Sequence, residues 1–346
     1  MDQTISRAAL TPAPPPVLIG GAIPLIDVSG FLAGTPGSAE KAAAQLAWAF
    51  ENVGFYYLAG HGVPGDLIKA QYAEAARFHA QPLDEKLKVK VNEHTIGYMP
   101  IAQEAPPNAA AQGKKPSQNE AFFLRRERSA DDPNVIAGRR FHVQNQWPQN
   151  LPGFREQTLT YMSTMEALCR KLVRLYALAL DLPADYFAQA FAEPNCTIRL
   201  IHYPPHPSPE DNQFGFAPHT DNNFITFLAQ SKLPGLEVRT AEGDWIRPPA
   251  VPGTFVVNTG AMLARYSNDR FRATPHRVIN RNDRSRYACP FFLGPNHDVV
   301  VEPVPSCVGP DNPPKYEPTT YGAFTQHLLA LNFAHRQAGG SGEYAG

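Results

Sequence analysis

The sequence predicts an α+β fold in which helices come first and a double-sheet β roll follows, with the helices packed outside the roll. Three observations point there. Four stretches carry apolar residues at helical spacing, three of them in the first half and one near the far end. From about residue 196 onward, short β-type runs are divided by Gly, Pro and Asn/Asp turns at the spacing of a sandwich or barrel. The 35 prolines crowd into 12–16, 204–209, 248–252 and 303–318 and nearly avoid the middle helices. A residue that fixes φ and lacks an N–H marks connections and edges in this way.

Taken in order, IPLIDV and GFYYLAG read as an N-terminal pair of strands around a first helix over 38–52. Ser38 is its expected cap, Leu46, Ala49 and Phe50 its buried face, and Gly54 its end. A second helix over 64–80 starts at Pro64 and Asp66 and carries Leu67, Tyr72, Ala75 and Phe78. The longest, about 154–180, has the stripe Met162, Met165, Leu168, Leu172, Leu175 and Ala179, stepping by three and four. A last helix over 319–334 carries Tyr321, Phe324, Leu328 and Leu331. Between them the runs CTIRLIHY, NNFITFLAQ, GLEVR, DWIRP, GTFVVNTG, MLARYS, ATPHRVIN and SRYACPFFL are expected strands. Segment 100–120 is long and aperiodic, so it is read as a loop that closes over a site.

A chain of 346 residues with 43% hydrophobic content can bury a large core. A net charge of −1 without a Lys/Arg stripe argues against nucleic acid as a partner. No apolar run reaches the ~18 residues of a membrane span, and MDQTISRAALTPAPPP does not read as a secretion signal. Cys169, Cys196, Cys289 and Cys307 form no CxxC pair, which fits a reducing compartment and no structural zinc. The expectation is a soluble cytoplasmic protein, monomer or homodimer, acting on a small molecule.

Among eleven histidines, His219-Thr220-Asp221 with the later His276 stands out. In a strand, 219 and 221 project to one face, and His276 lies in another β-type run that can approach across the roll. Two imidazoles and a carboxylate on one face of a metal leave three positions open, the facial triad of non-haem Fe(II) oxygenases. The same three residues could instead hold zinc for hydrolysis, or survive as a vestige in a sugar- or protein-binding roll. Ten residues on, Arg286 shares a face with Ala288 and Phe292 and points a guanidinium into a mostly apolar interior unless the strand is an edge. A buried arginine calls for an anion, and a dicarboxylate co-substrate supplies one through a bidentate pair. Tyr203 in RLIHYPP offers a phenol to the same carboxylate, or is a core aromatic.

At these residues the sequence resembles the Fe(II)- and 2-oxoglutarate-dependent dioxygenases of the isopenicillin N synthase-like group. The likeness runs from about residue 20 to 335: IPLIDVSGF…AWAFENVGFYYLAGHGVP, NQWP…LPGF, RLIHYPP, the PHTD box, TPHRV and RYACPFF. It implies Fe(II), 2-oxoglutarate and O2 as cofactor and co-substrates, His219, Asp221 and His276 as iron ligands, and Arg286 with Tyr203 as the 2-oxoglutarate site. It also implies a double-stranded β-helix (jelly-roll) core flanked by helices. The parts are then a mobile Pro-rich arm (1–20), an N-terminal helix and strand region (21–150), the jelly-roll core with its long support and C-terminal helices (151–336) and a mobile tail (337–346). Two positions depart from the family pattern: Ala288 replaces the usual serine of Arg-x-Ser, and Ile201 stands where some members have asparagine. These departures leave open a related oxidase that does not consume 2-oxoglutarate.

The implied reaction oxidises a substrate C–H, most simply by hydroxylation, with release of succinate and CO2. Phe292 matches a position where relatives stack an aromatic substrate, and Phe216 and Phe224 flank the PHTD box. Arg199 alternates with Ile201 and Tyr203, facing the cavity to bind an acidic group or turning outward. The substrate expected from these residues is hydrophobic or aromatic. No base adjoins the PHTD box to serve a zinc hydrolase.

Overall fold

A computed structural model describes residues 15–102, 115–206, 208 and 212–332. Residues 1–14, 103–114 and 333–346 lie outside it, and with them most of the Pro-rich arm, the centre of the 100–120 segment and the whole tail.

The strands in the first half are β1 (Val17–Ile19), β2 (Ile23–Asp27), β3 (Phe55–Ala59), β4 (Gly97–Met99) and β5 (Glu120–Arg125). The second half supplies β6 (Asn195–Tyr203), β7 (Phe216–His219), β8 (Ile225–Ala229), β9 (Leu236–Arg239) and β10 (Trp245–Ile246). It continues with β11 (Phe255–Thr259), β12 (His276–Val278), β13 (Arg286–Ala288) and β14 (Phe291–Gly294). The major sheet runs β1-β2-β3-β11-β8-β14-β6-β5-β4, with β13 also paired to β6. A minor sheet, β10-β9-β12-β7, lies over it. The two sheets form the expected jelly roll, extended at one edge by the N-terminal strands.

Period-two alternation in the major sheet separates the two cores. Tyr56, Leu58, Phe122, Ile198, Leu200, Phe227, Phe255 and Phe291 join the large core under the helices Ser38–Asn52 and Phe154–Ala179. The intervening Phe55, Tyr57 and Val256 pack into the roll with Val238, and Ala121, Phe123, Ile201, Tyr203 and Ala288 pack there with Val278. All six residues of the Met162–Ala179 stripe are buried, so the long helix supports the sheet from behind. A helix of that length needs such tertiary packing more than propensity.

Several boundaries differ from expectation. Gly37, at φ 76°, caps the first helix, and Ser38 is its first residue. Gly54 does end it, at φ 71°, donating to Ala49 O at 2.8 Å. MLARYS is no strand: Ala261–Tyr266 is a short helix after Gly260. Its Met262 and Leu263 are adjacent and both buried, which a helix end tucked against a core allows and simple alternation does not. β5, at Glu120–Arg125, begins at the last residue of the segment read as a loop and was not foreseen, and the chain is already paired at Val17–Ile19. No helix among the described residues is long and apolar enough to cross a membrane.

Candidate active site

His219 and His276 face each other across the antiparallel pair β7–β12, in direct register. Their rings are 4.3 Å apart between centroids. Asp221 is not part of the strand, which stops at His219. A turn, and not β alternation, brings its carboxylate to the histidines. That turn is fixed by Ala261 N–H donating to Asp221 O at 2.7 Å. Asp221 Oδ1 then lies 3.7 Å from Nε2 of both His219 and His276.

The surrounding bonds decide which atoms are available. His219 Nδ1 is 2.8 Å from Ala217 O and His276 Nδ1 is 3.2 Å from Thr274 O. A carbonyl can only accept, so each Nδ1 donates to it and each Nε2 is the ring atom left to face Asp221 Oδ1. Asp221 Oδ2 is occupied by Thr226 Oγ1 at 2.5 Å and Asn258 Nδ2 at 2.7 Å, which aims Oδ1 at the histidines. Burial and the neighbouring His276 push the His219 imidazolium pKa down, so its ring is neutral. Burial alone would raise the Asp221 carboxyl. The adjoining His276 and His219, with the bonds from Asn258 and Thr226, hold it below its ordinary value. Two imidazoles and one carboxylate, all within 4.8 Å, are the donor set that a divalent iron accepts. Thr226 and Asn258 were not foreseen. Both are common polar types, and only the pairing of β8 with β11 brings them to Asp221.

Arg286 sits deeper in the roll and is buried. Its Nε donates to Leu233 O at 3.3 Å, and its Nη1 is buried without any partner. The guanidinium lies 5.0 Å from the ring of Tyr203, its register partner on β6. Burial raises the Tyr203 pKa against the pull of Arg286, so the phenol keeps its proton and can donate. Ala288 faces Ile201 in the adjoining register and adds an apolar wall where a serine hydroxyl would stand. Behind Arg286, a Cβ placed on Gly235 would come within 2.9 Å of its Nε.

The register from β13 to β14 is unbroken, so Phe292 keeps the cavity side shared by Arg286 and Ala288. Phe216 packs its ring 4.2 Å from that of His219. Arg199 is buried, inside and not outward. Phe224 is a correction: it lies fully buried in the helical core against Phe187, Phe191 and Tyr266, on the far side of the sheet. It follows the turn at Asp221 and precedes β8, so its position was not fixed by alternation.

Residues 194–295 match the model of the 2OG-Fe(II) oxygenase superfamily, and residues 23–150 match the N-terminal model described as non-haem dioxygenase in morphine synthesis. The chain is 35% identical over 324 residues to the 2-oxoglutarate-Fe(II) type oxidoreductase hxnY of Emericella nidulans, covering 91% of both chains. It is 36% identical over 298 residues to a homoarginine-6-hydroxylase of Glycine max, covering 82% of this chain and 88% of that one. A full-length Neurospora crassa protein, crystallised in complex with alpha-KG (2-oxoglutarate), superposes with TM-score 0.80 at 28% identity over 91% of this chain and 98% of that chain. The chain belongs to the 2OG-Fe(II) oxygenase superfamily. This oxygenase is an Fe(II)/2-oxoglutarate-dependent dioxygenase, whose family uses iron, 2-oxoglutarate and O2.

The oxygenase holds a second histidine–acid cluster among its described residues: His79, Glu120 and His202, on the outer face of β5 and β6. Its cation is already present. Lys86 Nζ lies 2.8 Å from Glu120 Oε2, where Tyr98 Oη also donates. His202 Nδ1 is 2.7 Å from Glu120 Oε1, and its Nε2 is 2.9 Å from Ser285 Oγ, next to Arg286. Sequence reading missed this network, because its members are scattered over five elements and only His202 lies in a motif, RLIHYPP.

Proposed function

We propose that this oxygenase hydroxylates a C–H bond of a small hydrophobic or aromatic molecule, with His219, Asp221 and His276 as iron ligands. Arg286 with Tyr203 takes the distal carboxylate of 2-oxoglutarate against the wall of Ala288. The observation that carries the reading is the pair of Nε2 atoms converging on one carboxylate oxygen, each imidazole held through Nδ1 by its own backbone carbonyl. The unpartnered Arg286 Nη1 supports the 2-oxoglutarate part: a buried guanidinium with no acidic partner among the described residues fits a diacid.

When bound, iron and 2-oxoglutarate supply the oxidation: O2 delivers one atom to the substrate C–H and one to succinate, with loss of CO2. The chain's own groups do the rest. Thr226 and Asn258 keep Asp221 ionised and aimed, and Tyr203 offers its proton to the co-substrate carboxylate. Phe216 and Phe292 give the substrate side of the cavity an apolar surface that excludes water.

The test is an anaerobic titration of Fe(II), then 2-oxoglutarate, followed by the weak metal-to-ligand charge-transfer absorption. The native chain should develop the band. His219→Ala should lose it through lost iron, and Arg286→Ala should lose it through weak 2-oxoglutarate binding while iron is retained. Normal 2-oxoglutarate binding in Arg286→Ala would overturn the assignment.

A further inference from the structure

Arg199 extends from β6 into the roll with a relative exposure of 8%. Its guanidinium lies over the ring of Phe123, with 4.8 Å from Cζ to the centroid, and over that of Phe216 at 4.9 Å. Its Nη2 donates to Asn119 Oδ1 at 3.1 Å, and Asn119 is itself tied by Nδ2 to Gly215 O at 2.6 Å. Nε is buried with no partner. Arginine carries five N–H donors, and among the described residues one amide oxygen is the partner found for them. No acidic side chain of the described residues forms an ion pair with it. Burial lowers its pKa only to about 10, so it is charged at neutral pH.

A buried cation held by aromatic rings and one neutral amide is incomplete, because its desolvation is costly unless an anion offsets it. Asp221, whose charge acts on Arg199, is already engaged by Thr226 and Asn258 and lies beside the two histidines. Charge in the cavity points the same way. A ferrous dication and a 2-oxoglutarate dianion cancel, and Asp221 offsets one of the two arginines. One positive charge remains.

We infer that Arg199 receives a carboxylate of the primary substrate, so that the substrate is an aromatic monoanion and not a neutral aromatic. The proposal rests on the oxygenase reading of the same cavity and adds the substrate's charge. Phe123 and Phe216 flank the guanidinium, and the carboxylate meets the N–H groups that the rings leave open. Phe216 links this subsite to the metal side, since the same ring touches Arg199 and His219.

The test uses benzoate, phenylacetate and cinnamate, each beside its primary amide, titrated calorimetrically into the full chain with Fe(II) and 2-oxoglutarate under argon. At least one acid should bind tenfold or more tightly than its amide. Arg199→Gln should reduce that preference to about twofold and leave 2-oxoglutarate binding unchanged, and Arg199→Lys should keep part of it. Equal binding of acid and amide, no binding by any acid at millimolar concentration, or a full preference in Arg199→Gln would overturn the proposal. So would loss of 2-oxoglutarate affinity in Arg199→Gln, which would give the residue to the co-substrate. Failure of the oxygenase reading shows separately, as absence of 2-oxoglutarate binding in the native chain.

Discussion

Arg286 is held by what lies behind it as much as by what it faces. Gly235 leaves room that a methyl group would take: an added Cβ would stand 2.9 Å from Nε and 3.0 Å from Cδ. Gly235→Ala must therefore move the guanidinium. We expect 2-oxoglutarate affinity to fall by about tenfold, since a displaced charge-assisted fork loses its geometry. Iron binding and the thermal midpoint should change little, and calorimetric titration of 2-oxoglutarate beside a melting curve checks both. The opposite change is available at Ala288, which faces Ile201 in an apolar wall. Ala288→Ser restores a hydroxyl close to the Arg286 strand. A net hydrogen bond contributes about 0.5–1.5 kcal/mol, so KM for 2-oxoglutarate should drop about three- to tenfold. An unchanged KM would mean that another group already fills that role.

Strand β13 places the arginine proposed for 2-oxoglutarate with very few residues. It has three residues, pairs with β6, and carries Arg286. Its other face is pinned from behind: Ser285 to His202, His202 to Glu120, and Tyr287 stacked on His202 at 5.1 Å. Ser285→Ala or His202→Phe should raise KM for 2-oxoglutarate about three- to tenfold with kcat nearly unchanged, while Ser285→Thr retains the native value. Steady-state kinetics with 2-oxoglutarate varied separates this from a general loss of stability, which would lower the active fraction without moving KM. The same scale shows what the sequence made legible. The long helix was readable because its stripe repeats over many turns, and β6 because its β-type run is bounded by turn residues. β5 was not, because a central strand buries both faces, and AFFL lacks alternation. The Ala261–Tyr266 helix was missed because six residues carry too little period to outweigh local apolar content. At the site, residue type, spacing and the family resemblance singled out His219, Asp221, His276, Arg286 and Tyr203, and the fold brings the first three together and sets the last two side by side. Asn119, Thr226 and Asn258 were not foreseen, since an amide or hydroxyl acquires its role only from the strands that meet around it.

Across the whole molecule, the cluster around Glu120 joins the helix Leu83–Leu87 through Lys86, β4 through Tyr98 and β6 through His202 to β5. Burial would raise the Glu120 carboxyl. The bonds from His202, Lys86 and Tyr98, with His79 Nδ1 3.6 Å away, outweigh it and hold the pKa far below the ordinary glutamate value. A carboxyl depressed in the folded state stabilises the fold above its unfolded pKa, about 4.3, and that contribution is lost as pH falls further. Urea midpoints of the native chain should therefore decline steeply from about pH 5 toward pH 3. Glu120→Gln removes the titrating group and leaves Lys86 buried without its carboxylate, which should cost about 3 kcal/mol at pH 7. Because the variant cannot take up that proton, its stability should fall less steeply, by up to about 1.4 kcal/mol per pH unit across the window. The two curves then approach each other as the pH drops. Parallel curves from pH 6 to pH 3 would mean that Glu120 binds its proton equally in the folded and unfolded chains, and that the cluster is held by packing instead of charge.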